Sequence, residues 1–90
     1  MLRISQKEGC DVLTMMIEGK VVGEWTAELE RAWTTILSSL GTKKLCVDIC
    51  GVTYLDQRGR EILREIFMST GAQILADSPL TKQFAEEARQ

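Results

Sequence analysis

Ninety residues, 44% of them hydrophobic, supply one small domain spanning residues 1–90, with one core and no second domain. A formal net charge of -2 and a pI near 5.1 argue against a nucleic-acid binder working through bulk phosphate attraction, because such domains carry a basic stripe. The absence of histidine removes the commonest general base and the commonest transition-metal ligand, and no stretch reaches transmembrane length, so membrane insertion is not expected.

The segment from Met1 to Ser5 runs directly into polar Gln6-Lys7-Glu8 and lacks the apolar region of a signal peptide. Leu2 and Ile4 alternate with Arg3 and Ser5, and after Gly9-Cys10 a second alternation places Leu13, Met15 and Ile17 on one face, which predicts a hairpin. Glu18-Gly19-Lys20 interrupts the pattern, Val21-Val22 is a candidate short third strand, and Gly23 breaks the chain before a helix. From Glu24 to Leu40, Trp25, Leu29, Trp33, Ile36 and Leu40 form one continuous helical stripe, stopped by Gly41. At this spacing the two tryptophans read first as core, with a ligand groove as the alternative.

Leu45, Val47, Ile49 and Val52 have the apolar, partly β-branched character of an interior strand of about Lys44 to Ile49, and Gly51 permits a tight bend after it. Cys46 and Cys50 share a strand face about 13 Å apart, too far to bridge, and read as small apolar core residues. With Cys10 they make an odd set without C-x-x-C spacing, which suits a reducing, cytoplasmic setting. Asp56 reads as the N-cap of a helix from Gln57 to about Ser69 that buries Ile62, Leu63, Ile66 and Phe67 and exposes Arg60, Glu61, Arg64 and Glu65. Gly71 ends it. Ala72 to Ala76 forms a last strand, Ser78-Pro79 caps and opens a terminal helix, and Leu80, Phe84, Ala85 and Ala88 form its inner face. The order predicts an α/β sandwich: a mixed sheet of four to five strands covered by three to four helices, with parallel crossovers through the helices.

The stretch Leu45-Cys46-Val47-Asp48-Ile49-Cys50-Gly51-Val52-Thr53-Tyr54-Leu55-Asp56-Gln57-Arg58-Gly59 resembles the signature of STAS domains, named for sulfate transporters and anti-sigma factor antagonists. The element order extends the resemblance over nearly the whole chain. It implies a bacterial, non-catalytic regulatory module that binds an anti-sigma factor or related kinase-fold protein in transcriptional signalling. In phosphorylation-switched antagonists the second position after the signature Asp is usually the Ser or Thr that takes phosphate. Here Gln57 and Arg58 follow Asp56, and neither accepts a phosphoryl group, so the resemblance implies the binding role without the usual switch. The partner-binding segment it implies is Tyr54, Asp56, Gln57, Arg58, Gly59 and Arg60. A homodimer, an accessory subunit of a transporter and a lipid-handling module are open within the same resemblance.

The residues themselves offer little catalytic chemistry. Asp48 and Asp56 are the best candidates for buried acids, and a capping or turn-organising role is preferred to acid-base work. The glycines assemble no phosphate loop, so no nucleotide enzyme, metal site or cofactor is expected. Gly59 lets either a partner or neighbouring protein atoms approach the helix start. Arg58 places a cation where the helix dipole disfavours one, which makes it either a solvated side chain or a cation offered to an acidic partner or bound anion. On this reading Arg58→Glu leaves folding unchanged or slightly improved. The second functional class is a small-ligand or anion sensor using the amides after Asp56, with Arg58 and Arg60 as counter-charges.

Overall fold

The computed structural model describes residues 2–90; Met1, read above with the N-terminal segment, lies outside them. Strands β1 (Leu2–Glu8) and β2 (Val12–Val21) form an antiparallel hairpin, with Ile4 opposite Ile17. Helix α1 (Trp25–Leu40) leads to β3 (Lys44–Leu55), α2 (Gln57–Thr70) leads to β4 (Gln73–Leu75), and α3 (Pro79–Arg89) follows. The sheet order is β1-β2-β3-β4, with β3 parallel to both neighbours. This is the mixed α/β arrangement expected from the sequence, with four strands and three helices among the described residues.

Two glycines predicted to break strands lie within them. β2 continues through Gly19, at φ 94°, to Val21, so the separate third strand is not formed. β3 likewise runs through Gly51 to Leu55 and not into a tight bend after Ile49. The pairing shows the reason: Met16 faces Asp48 but Glu18 faces Gly51, and Gly19 faces Val52 but Lys20 faces Tyr54. An extra β3 residue is absorbed at each step as a bulge, which bends the strand without ending it. A Cβ at Gly51 would stand 2.8 Å from Glu18 Cγ, so the missing side chain also admits that neighbour.

One sheet face carries Leu13, Met15, Ile17, Val47, Ile49 and Ile74 into a single core with apolar residues from all three helices. Of the α1 stripe, Leu29, Trp33 and Ile36 are buried, whereas Trp25 and Leu40, at its two ends, are half-buried. In α2, Ile62, Leu63 and Ile66 are buried and Phe67 is half-buried. In α3, Leu80 is exposed and Thr81 is buried in its place. Thr81 forms a reciprocal capping box with Ser78, so the first turn directs a polar residue inward with its hydroxyl satisfied.

Among the described residues all three helices join the core on that one face, and none packs on the opposite sheet face. Asp48, half-buried there, accepts the Cys50 amide hydrogen at 2.9 Å beside the first bulge of β3, where no turn forms, which corrects its readings as a buried acid and as a turn organiser. Cys46 is buried, though outside the core cluster, and Cys50 is exposed, so the core-cysteine expectation holds for the first in burial alone and fails for the second. No helix among the described residues is long and apolar enough to cross a membrane.

Candidate functional site

The corner where β3 meets α2 is built around Asp56. Its backbone is extended, and its Oδ1 accepts the Gly59 amide hydrogen at 2.8 Å, closing the α2 N-cap. Its Oδ2 accepts the Gly23 amide hydrogen at 2.9 Å, and its own amide donates to Val21 O at 3.1 Å. One side chain therefore fixes the helix start and the β2–α1 loop to each other. Gly23 has φ 56°, a left-handed conformation that disfavours a side chain, and its carbonyl accepts a hydrogen bond from Thr26 Oγ1 at 2.7 Å. Glu24 makes no side-chain capping bond; the first α1 amides, of Trp25, Thr26 and Ala27, donate instead to the carbonyls of Val22, Gly23 and Glu24.

Gly59 is buried. A Cβ there would lie 3.0 Å from Val21 O and 3.2 Å from Val21 Cγ1. The approaching atoms belong to the end of β2, so Gly59 packs against neighbouring protein atoms of its own chain.

Arg58 and Arg60 leave the helix start in different directions. Arg58 Nη2 donates to Glu30 Oε2 of α1 at 2.7 Å, while Nη1 reaches Glu61 at 3.3 Å and Glu65 at 3.5 Å. Against partial desolvation, the carboxylates of Glu61, Glu30 and Glu65 hold the guanidinium above its ordinary pKa. Its cation faces three acids of its own chain, and the charge the dipole disfavours is compensated by these α1 and α2 carboxylates.

Arg60, expected on the exposed face, is half-buried. Its guanidinium carbon sits 5.2 Å from the Phe84 ring centroid and 5.8 Å from that of Tyr54. Those two rings meet edge-on at 6.4 Å, with Phe84 buried and Tyr54 43% exposed. Such cation–π contacts contribute about 0.5–2 kcal/mol, more as the cation is desolvated. Arg60 Nε is buried without a hydrogen-bond partner, and no ion pair among the described residues involves Arg60.

The sequence-predicted segment is thus one contiguous corner with distinct parts: Gln57 and Tyr54 exposed, Asp56 and Gly59 holding its shape, Arg58 turned to α1 and Arg60 to α3. Sequence reasoning missed Gly23, Glu30 and Phe84. The Arg58–Glu61 pair was legible in its i,i+3 spacing, but Glu30 is 28 residues away. Trp25 does line a groove as well: an open trough of about 510 Å³ between β1 and α1, with Leu2, Ile4, Ala32 and Ile36. Among the described residues no cluster of His, Cys, Asp or Glu is arranged to hold a metal.

No protein-family model and no curated protein matches the chain. Solved structures do. An anti-sigma factor antagonist from Mycobacterium paratuberculosis superposes with a TM-score of 0.78 at 22% identity, covering 92% of this chain and 74% of that one. A protein of the DUF3478 family with a SpoIIAA-like fold, from Shewanella loihica PV-4, superposes with a TM-score of 0.61 at 16% identity, covering 98% of this chain and 76% of that one. Sheet order, helical crossovers and the capped β3–α2 corner together with these likenesses establish that the chain has a STAS-like, SpoIIAA-like fold.

Proposed function

We propose that this domain is a non-catalytic regulatory module of the anti-sigma factor antagonist kind, which binds a kinase-fold protein partner through the β3–α2 corner and is not switched by phosphorylation there. The observation that carries this reading is the double grip of Asp56 on Gly23 and Gly59, which fixes the corner in one shape. Tyr54 and Gln57 present its exposed surface, with Arg58 and Arg60 flanking it. A hydroxyl two residues after Asp56 would let phosphate charge the helix start and repel a partner; Arg58, paired with acids, offers no such change. Three free thiols support a cytoplasmic setting.

Anion sensing at the same helix start has less support, because the Gly59 amide such a site would use is taken by Asp56. The test is calorimetric titration of purified kinase-fold anti-sigma factors from the same host, with and without prior incubation with ATP. Saturable binding that survives the ATP treatment is expected, with the segment from Asp56 to Arg60 unmodified in phosphopeptide maps. Absence of binding to every such protein contradicts the partner class, and loss of binding after ATP contradicts the unswitched reading.

A further inference from the structure

We infer that Arg60, framed by Tyr54 and Phe84, is a receptor for an acidic side chain of a protein partner, and that Arg58 is not. The inference rests on the proposed partner face and names the chemistry it takes. Within the segment from Tyr54 to Arg60 the two cations differ in what they already hold. Arg58 is surrounded by Glu30, Glu61 and Glu65, so an incoming carboxylate meets more negative than positive charge. Arg60 has no carboxylate partner, and its Nε is withdrawn from water with nothing bonded to it.

Two rings hold the Arg60 guanidinium, at 5.2 Å and 5.8 Å. Much of the desolvation and side-chain ordering that binding requires has therefore already taken place on folding. Nε is the Arg60 nitrogen that is both buried and unpartnered, which leaves the outer Nη edge as the part that meets a carboxylate. Tyr54, 43% exposed beside it, supplies an aromatic rim of the kind that accompanies an arginine at binding hot spots.

The burial of Nε also supplies the readout, because a shielded Nε–H exchanges slowly and gives its own signal in nitrogen-15 NMR. The whole domain is titrated with hexaglutamate, with hexaglutamine and with inorganic phosphate, in wild type and in Arg60→Met, which keeps the apolar stem between the rings. The expected result is a saturable shift of the Arg60 Nε–H with hexaglutamate, none with hexaglutamine, and little movement of the Arg58 signal. Arg60→Met should weaken hexaglutamate binding about tenfold, the loss expected on truncating an interface anchor, while still folding in one cooperative urea transition whose midpoint falls only by the loss of the two ring contacts. An unmoved Arg60 signal, an Arg58 signal that responds first, or phosphate saturating at equal or lower concentration overturns the inference, the last by assigning a small-anion site. A kinase-fold partner that perturbs the corner but leaves the Arg60 signal unmoved refutes this inference and leaves the proposed function standing. A hexaglutamate response at Arg60 with no kinase-fold protein bound does the reverse.

Discussion

The carboxylate of Asp56 reaches across 33 residues of sequence to the amide of Gly23, at 2.9 Å, while its other oxygen caps its own helix. A residue legible as a local cap is therefore also a tertiary tie between the two loops at one end of the sheet.

Replacing Asp56 by Ala removes both bonds. An N-cap contributes about 0.5–2 kcal/mol and a further hydrogen bond about 0.5–1.5 kcal/mol. Urea melts of Asp56→Ala should show a loss of about 1–3 kcal/mol, and Asp56→Asn, which keeps one acceptor oxygen, should fall between it and wild type. Equal stability of Asp56→Ala and wild type would remove the clamp from the account.

Gly59→Ala sets helix propensity against packing. Alanine gains about 1 kcal/mol over glycine in a helix interior, but a Cβ 3.0 Å from the Val21 carbonyl oxygen meets backbone that cannot rotate away. Overpacking of this kind costs about 1–3 kcal/mol, so the urea midpoint should fall; a rise would show that the end of β2 yields freely.

Arg58→Glu should destabilise the fold, contrary to the expectation from the helix dipole alone. It would leave the new acid beside Glu30, Glu61 and Glu65 with no cation among them. The loss should shrink as salt rises, because these charges are partly exposed and screened. Thermal melts at low and high ionic strength check both the sign and the trend.

The neighbouring Asp48 carboxylate, which favours the protonated form of the Cys50 thiol, pushes that thiol up to about 11, with desolvation and Asp77 adding to the rise. The unfolded thiol ionises first, near its ordinary 9.0, so this contribution to stability is intact below 9.0 and is lost as pH rises toward about 11. Ultraviolet titration of thiolate in a variant whose other cysteines are serine should place Cys50 near about 11, and Asp48→Asn should lower it. A Cys50 that ionises at or below 9.0 in the Asp48 background would contradict the contact.

What could be read from the sequence followed the range of each interaction. Asp56 before Gln57 and Ser78 before Pro79 are caps whose partners lie within a turn, and both form. Periodicity placed Leu29, Trp33 and Ile36 in the core, but Trp25 and Leu40 at the ends of the same stripe keep contact with solvent. Gly19 and Gly51 looked like breaks because a bulge and a turn share the same local residue, and only the pairing of β2 with β3 separates them. The two arginines were legible as cations but not by destination, since Glu30 and Phe84 reach the corner only through the packing of α1 and α3 against α2.

The proposed function places a kinase-fold partner on the β3–α2 corner. Amide hydrogen exchange of the domain, alone and saturated with a kinase-fold anti-sigma factor, measures this most directly. Added protection is expected over the segment from Tyr54 to Arg60 and at Gly23, with the open sheet face at Asp48 and Cys50 unchanged. Protection confined to the open sheet face or to the trough between β1 and α1, with the corner unchanged, would contradict it.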